Sequence, residues 1–131
     1  MLPRTRLKRV ALFLLSLFFI AAGVNHFLNP RTYTAIMPPY LPAHMELVYV
    51  SGIFEVLGGL GVLPVITRRL AGWGLIALLF AVYPANIHMA MNPDLFVGRG
   101  MPLWAIYLRL PLQFVFVSWV YWATRPDPKN P

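Results

Sequence analysis

Seven polar side chains interrupt the otherwise apolar runs of this 131-residue chain: Glu55, Arg109, Gln113, Asn25, His26, Asn86 and His88. A carboxylate shielded from water can exchange protons, and guanidinium, amide and imidazole groups can hold oxygen atoms by hydrogen bonds. The set reads as a site with Glu55 as the proton-exchanging, catalytic group. Arg109, Gln113, Asn25, His26 and Asn86 are its ligand-binding partners. Spacing supports part of this. On a helix Gly52, Glu55 and Gly59 share one face at i, i+3 and i+7, where small residues admit a neighbouring helix. Arg109 and Gln113 share a face at i, i+4. Asn86 and His88 are about 200° apart, so they cannot both point inward equally. Pro84 and Pro111 each free a backbone carbonyl one turn earlier, at Phe80 and Tyr107, as further acceptors.

Each of these groups also has a plainer reading. A lone charge at the centre of an apolar span costs roughly 2.5–3.5 kcal/mol, so Glu55 and Arg109 are expected to pair. The pair either locks two helices or also lines a ligand site. Arg109 has a third option, reaching outward to the interface. His26 and His88 suit hydrogen-bonded anchors. A metal site of His26, Glu55 and His88 lacks the close spacing of known ligand motifs, and none is expected. The Gly58-Gly59-x-Gly61 cluster is a helix-packing feature, because no strand precedes it as a phosphate loop requires.

The elements that position these groups follow from composition. Hydrophobic residues make up 59% of the chain and charged residues 11%, against roughly 45–50% and 25% in a soluble domain. So short a chain cannot hide that much apolar surface in its own core, which makes the lipid bilayer the partner of most of it. The fold class is all-α: an integral membrane four-helix bundle in one domain, with helices at about 8–28, 44–66, 70–91 and 103–123. Each is long enough to cross a hydrocarbon core of about 30 Å. Asn29-Pro30 ends the first helix, and Pro38, Pro39 and Pro42 make 31–43 an ordered surface loop. Thr67-Arg68-Arg69 is the expected turn between the second and third helices, and Asn92-Pro93-Asp94 opens the last loop.

Charge sets the orientation. With the N-terminus inside, the inner segments hold Arg4, Arg6, Lys8, Arg9, Arg68, Arg69, Arg125 and Lys129, and the outer loops hold only Arg31 and Arg99. By the positive-inside rule both termini are cytoplasmic. The net charge of +7 is therefore a topology signal and not a nucleic-acid footprint. Trp73, Trp119 and Trp122 fall near the inner interface, Trp104 and Tyr107 near the outer one. The polar groups gather in the outer half: Glu55 is about 16 Å deep, Arg109 about 10 Å and Gln113 about 16 Å. The Asn25-His26…Asn29-Pro30 and Asn86…His88…Asn92-Pro93 stretches also echo each other, which reads as two duplicated helical hairpins. With no cysteine, the chain carries no disulfide, thiol redox centre or thiolate-held cluster of its own.

Several blocks together resemble the DoxX-like family of small bacterial four-helix membrane proteins. They are Gly23-Val24-Asn25-His26-Phe27 with Pro30, Pro38-Pro39-Tyr40-Leu41-Pro42, Ser51 through Gly59, Arg69 through Gly74, Pro84-Ala85-Asn86-Ile87 and Arg109-Leu110-Pro111-Leu112-Gln113. The resemblance implies a four-helix fold in a bacterial inner membrane and an association with redox proteins. On that basis the expected function is a redox-associated subunit, with a redox protein as partner. Its outer-half pocket would hold a quinone, the one cofactor in view. The alternative is a non-catalytic anchor for a partner protein or a lipid-binding bundle.

Overall fold

The computed structural model describes residues 3 and 5–126; Arg4, Lys129 and the rest of the polar tail expected beyond 126 lie outside them. Among the described residues the chain is helical and has no strand. Four long helices, α1 (Arg6–Leu28), α3 (His44–Gly61), α4 (Val65–Met91) and α6 (Leu103–Thr124), alternate with two five-residue helices, α2 (Pro30–Thr34) and α5 (Pro93–Val97). Helices α1, α4 and α6 are long and apolar enough to cross a membrane. The 18-residue α3 spans about 27 Å and carries both Glu46 and Glu55. Large apolar side chains such as Leu17, Ile66, Leu70 and Val115 face outward, as helices in lipid require.

The long helices pack in a ring. Helix α1 contacts α3, α3 contacts α4, α4 contacts α6 and α6 contacts α1, while the backbones of the diagonals α1–α4 and α3–α6 do not approach closely. The α1–α3 pairing is the closest. A Cβ placed on Gly23 would lie 2.6 Å from the carbonyl oxygen of Gly52, and one on Gly59 would lie 2.9 Å from that of Ser16. The Ser16 hydroxyl donates to Gly59 O at 2.6 Å. Gly52, Glu55 and Gly59 thus present their shared face to α1.

The main core lies in the half that carries the termini. Leu12, Leu15, Phe19, Val62, Leu75, Val120 and Ala123 form one buried cluster there. Trp119 Nε1 donates to Ala11 O at 3.1 Å and Lys8 Nζ to Arg125 O at 2.8 Å, tying α6 to α1. The far half has a smaller cluster of Met89, Phe96 and Ile106, packed against Ile36 and Met101.

The turn between the second and third long helices falls at Val62–Pro64, not at Thr67–Arg69. Pro64 lacks an N–H and disfavours helix in the residue before it, so it ends α3 and becomes the N-cap of α4. The basic pair sits inside α4 instead. Arg68 donates to Val62 O at 2.7 Å and to Leu63 O at 2.5 Å, and Thr67 donates to Gly61 O at 2.6 Å. The two residues close carbonyls that the ending helix leaves open. The expected loop 31–43 also begins with helix. Pro30 at the first helical position starts α2 with a φ suited to it, and turns follow to Ala43, whose φ is +52°.

The ends of α1 and α4 are built alike. Asn29 has φ −133° and ψ 58°, Asn92 has φ −130° and ψ 53°, and each is followed by a proline that opens a short helix. Each asparagine reaches back four residues: Asn29 Nδ2 donates to Asn25 Oδ1 at 2.6 Å, and Asn92 Nδ2 to His88 O at 3.0 Å. The fourth residue of each short helix is aromatic. Tyr33 lies over the His26 ring with centroids 3.9 Å apart, and Phe96 meets the His88 ring edge-on at 5.9 Å.

Candidate functional site

Beyond the main core, residues of all four long helices line a cavity of about 630 Å³. Ligand sites typically occupy about 300–1,000 Å³ with apolar walls and a few convergent polar groups. The walls here fit that description: Phe18, Phe19, Leu47, Val82, Leu112 and Phe116 line it, among others. Ile36, Met37, Pro38 and Leu41 cover one end from the segment after α2. That segment is pinned by His44 Nε2 on Pro38 O at 3.1 Å and by Arg99 Nη1 on Ala35 O at 2.9 Å.

Five of the polar residues expected at the site line this cavity: Glu55, Arg109, Gln113, His26 and Asn86. Their partners differ from expectation. Glu55 and Arg109 do not form a direct ion pair; among the described residues the ion-pair partner of Glu55 is His26, with Nε2 3.0 Å from Oε2. The reason lies in the ring of helices. Glu55 is on α3 and Arg109 on α6, a diagonal pair whose backbones do not approach closely, whereas the Gly23–Gly52 approach brings His26 on α1 within reach of α3.

The His26 ring fixes where a proton must be. Its Nδ1 stands 2.8 Å from Val48 O, a carbonyl that can only accept, so Nδ1 carries hydrogen. Nε2 then faces the Glu55 carboxyl within ion-pair range, and Oε2 of that carboxyl is buried with no hydrogen-bond partner among the described residues. At 3.0 Å the two groups suit each other either as imidazolium with carboxylate or as neutral imidazole with the acid. In either form the pair as a whole is neutral.

Gln113 is buried and its side-chain nitrogen donates to Leu79 O across the α4–α6 interface. Part of its expected capacity for a ligand is therefore committed to the neighbouring helix. Asn25 is not a cavity residue. One position before His26, it is turned about 100° away and donates from Nδ2 to the Tyr33 hydroxyl at 2.7 Å. Its role is to hold Tyr33 over the His26 ring. Of the pair that could not both face inward, Asn86 lines the cavity, while His88 meets Asn92 Nδ2 at 3.3 Å. Among the described residues no group of three His, Cys, Asp or Glu side chains could hold a metal ion.

Sequence reasoning missed Tyr33, Ser51 and Trp104, which also line the cavity. Tyr33 had a signal: an aromatic three residues after each Asn-Pro pair, at 33 and at 96. Ser51 and Trp104 had none beyond their helical positions.

No curated protein matches the chain, and no solved structure matches it. One family model does, described as Domain of unknown function (DUF8561). The match runs over residues 15–124 and takes in α3, α4, α6, the part of α1 from Leu15 onward and every cavity-lining residue named above, so the chain belongs to this family.

Proposed function

We propose that the chain is a multi-pass protein of the bacterial inner membrane whose cavity binds a quinone-like amphiphile within a redox-associated assembly. In this reading α3 is the fourth span, the four helices form a bundle of two duplicated hairpins, and both termini are cytoplasmic. The basic residues at the termini-bearing end support that orientation through the positive-inside rule. A reporter fused after Pro131 is expected to be active only in the cytoplasm; activity only on the far side would overturn the orientation.

The observation that carries the ligand reading is the apolar cavity of about 630 Å³ with the His26–Glu55 pair, and the proton it can carry, at its wall. The His26–Glu55 pair can give or take that proton as a bound head group changes charge, while Arg109 and Asn86 supply hydrogen bonds. Any electrons would come from a bound cofactor or a partner protein, since this chain has no cysteine. The DoxX-like resemblance supports the redox setting.

The test is a titration of purified protein with a short-chain quinone, followed by thermal unfolding. The unfolding midpoint is expected to rise by several degrees and to rise less in Val82→Trp, which fills the cavity. An unchanged midpoint in the wild-type protein would overturn the reading.

A further inference from the structure

We propose that the cavity's ligand carries an oxyanion head group on a single apolar chain, and that Arg109 is the residue that binds the head group. This rests on the reading that the cavity takes an amphiphile; the quinone-like head group named there is neutral, and the charge around the cavity favours an anionic one.

The inference starts from a count of charges around the cavity. The ionisable side chains that line it are His26, Tyr33, Glu55 and Arg109. His26 and Glu55 answer each other across 3.0 Å and are neutral as a pair. The Tyr33 hydroxyl accepts the Asn25 amide at 2.7 Å. What remains is one positive charge, that of Arg109.

Arg109 has no partner of its own. Among the described residues no carboxylate and no hydrogen-bond acceptor engages its guanidinium, and no ring lies beneath it, whereas Arg68, Arg99 and Arg125 each have such a contact. The two other described carboxylates are out of play: Glu46 is in the first turn of α3 and Asp94 in the first turn of α5, and neither lines the cavity. A guanidinium in an apolar wall wants a counter-charge, and its planar fork of donors matches the two oxygens of a carboxylate or the oxygens of a phosphate. The protein holds its one nearby carboxylate away from Arg109 by giving it to His26 on the opposite hairpin. That arrangement leaves the position opposite Arg109 open to an acid brought by the ligand.

The walls set the rest of the molecule. From Arg109 the lining continues along Leu112 and Phe116 to Phe18 and Phe19, an apolar track toward the main core. One chain suits a space of about 630 Å³ with these walls. Carboxylate and phosphate monoester share the chemistry, and the experiment separates them.

Binding of palmitate, a long-chain alkyl phosphate, palmityl alcohol and a short-chain quinone is measured on the full chain in a neutral detergent. At least one of the two anions is expected to bind ten-fold or more tightly than the alcohol, and its identity names the head group. Arg109→Gln is expected to abolish that preference while the alcohol binds as before, and Arg109→Lys to keep part of it. If the alcohol binds as tightly as both anions, the charge inference is overturned and the cavity reading stands. If Arg109→Gln leaves the preference intact, Arg109 is not the head-group residue and the inference is overturned likewise. If none of the four compounds binds, the cavity reading itself falls.

Discussion

His26→Leu is expected to destabilise the protein by about 2–3 kcal/mol, while Glu55→Gln costs under about 1 kcal/mol. The asymmetry follows from which atom carries the proton. Nδ1 of His26 is committed to Val48 O at 2.8 Å, so a neutral imidazole offers an acceptor at Nε2. A glutamine amide at position 55 can donate to that acceptor, and the contact survives. Leucine at position 26 offers Glu55 nothing, and the buried Oε2 of Glu55 has no hydrogen-bond partner among the described residues. The value sits at the low end for a broken buried pair because Glu55 borders the cavity, where water can reach it. The double variant His26→Leu with Glu55→Gln is expected to recover part of the loss, since an amide is cheaper to strand than a carboxylate. Arg109 makes the contrast. With no direct pair between Glu55 and Arg109, losses from Glu55→Gln and Arg109→Met should simply add. Equilibrium unfolding in mixed micelles reads all of these. Equal losses for His26→Leu and Glu55→Gln, or strong coupling between Glu55 and Arg109, would show that the partner is misassigned.

The gathering of polar groups was legible in the sequence because depth follows from position along a helix. Counting residues at 1.5 Å each brings Glu55, Arg109, Gln113, His26 and Asn86 to similar levels, and they line one cavity. Who pairs with whom was not legible. The sequence offers Glu55 one obvious opposite charge, Arg109, and depth alone cannot tell a neighbouring helix from a diagonal one. The decisive fact was the mutual fit of Gly23 on α1 and Gly52 on α3. The face bearing Gly52, Glu55 and Gly59 was visible at i, i+3, i+7, but nothing on α3 said that α1 would be the helix received there.

The turn at Val62–Pro64 shows a different limit. Two adjacent arginines suggest an exposed turn, yet their donors serve equally well inside the first turns of a helix when a preceding helix ends nearby, as Arg68 does on Val62 O and Leu63 O. The echo between the α1 and α4 ends was visible in sequence but not its register. Laying Asn29 on Asn92 places Asn25 on His88, Tyr33 on Phe96 and His26 on Met89. Where one hairpin has a histidine facing a carboxylate, the other has Met89 in an apolar cluster with Phe96 and Ile106. Matching His26 to His88 by residue type had hidden that substitution of polar contact by packing.

Gly23→Val is expected to lower stability by about 3 kcal/mol, enough to reduce accumulation in the membrane sharply. A Cβ on Gly23 would stand 2.6 Å from Gly52 O, 2.7 Å from Val56 Cγ2 and 2.9 Å from Val56 N. Two of these atoms belong to the α3 backbone, which cannot rotate aside as a side-chain end can, so the helices must part. Parting them also undoes chemistry one turn away. His26 reaches Val48 O and Glu55 only because α1 and α3 touch, and a wider crossing takes Nε2 out of range of Oε2. Gly23→Ala should therefore show a graded version: a smaller loss of stability together with a weakened ligand response. Gly74 provides the control, because a Cβ there meets nothing within 4 Å. Gly74→Ala is expected to be neutral or to stabilise α4 by up to about 1 kcal/mol through helix propensity alone. Accumulation and thermal midpoints of the three variants in one detergent decide the matter. If Gly23→Val tracks Gly74→Ala, the close α1–α3 crossing is not what holds the two helices together, and the pairing of His26 with Glu55 loses its structural basis.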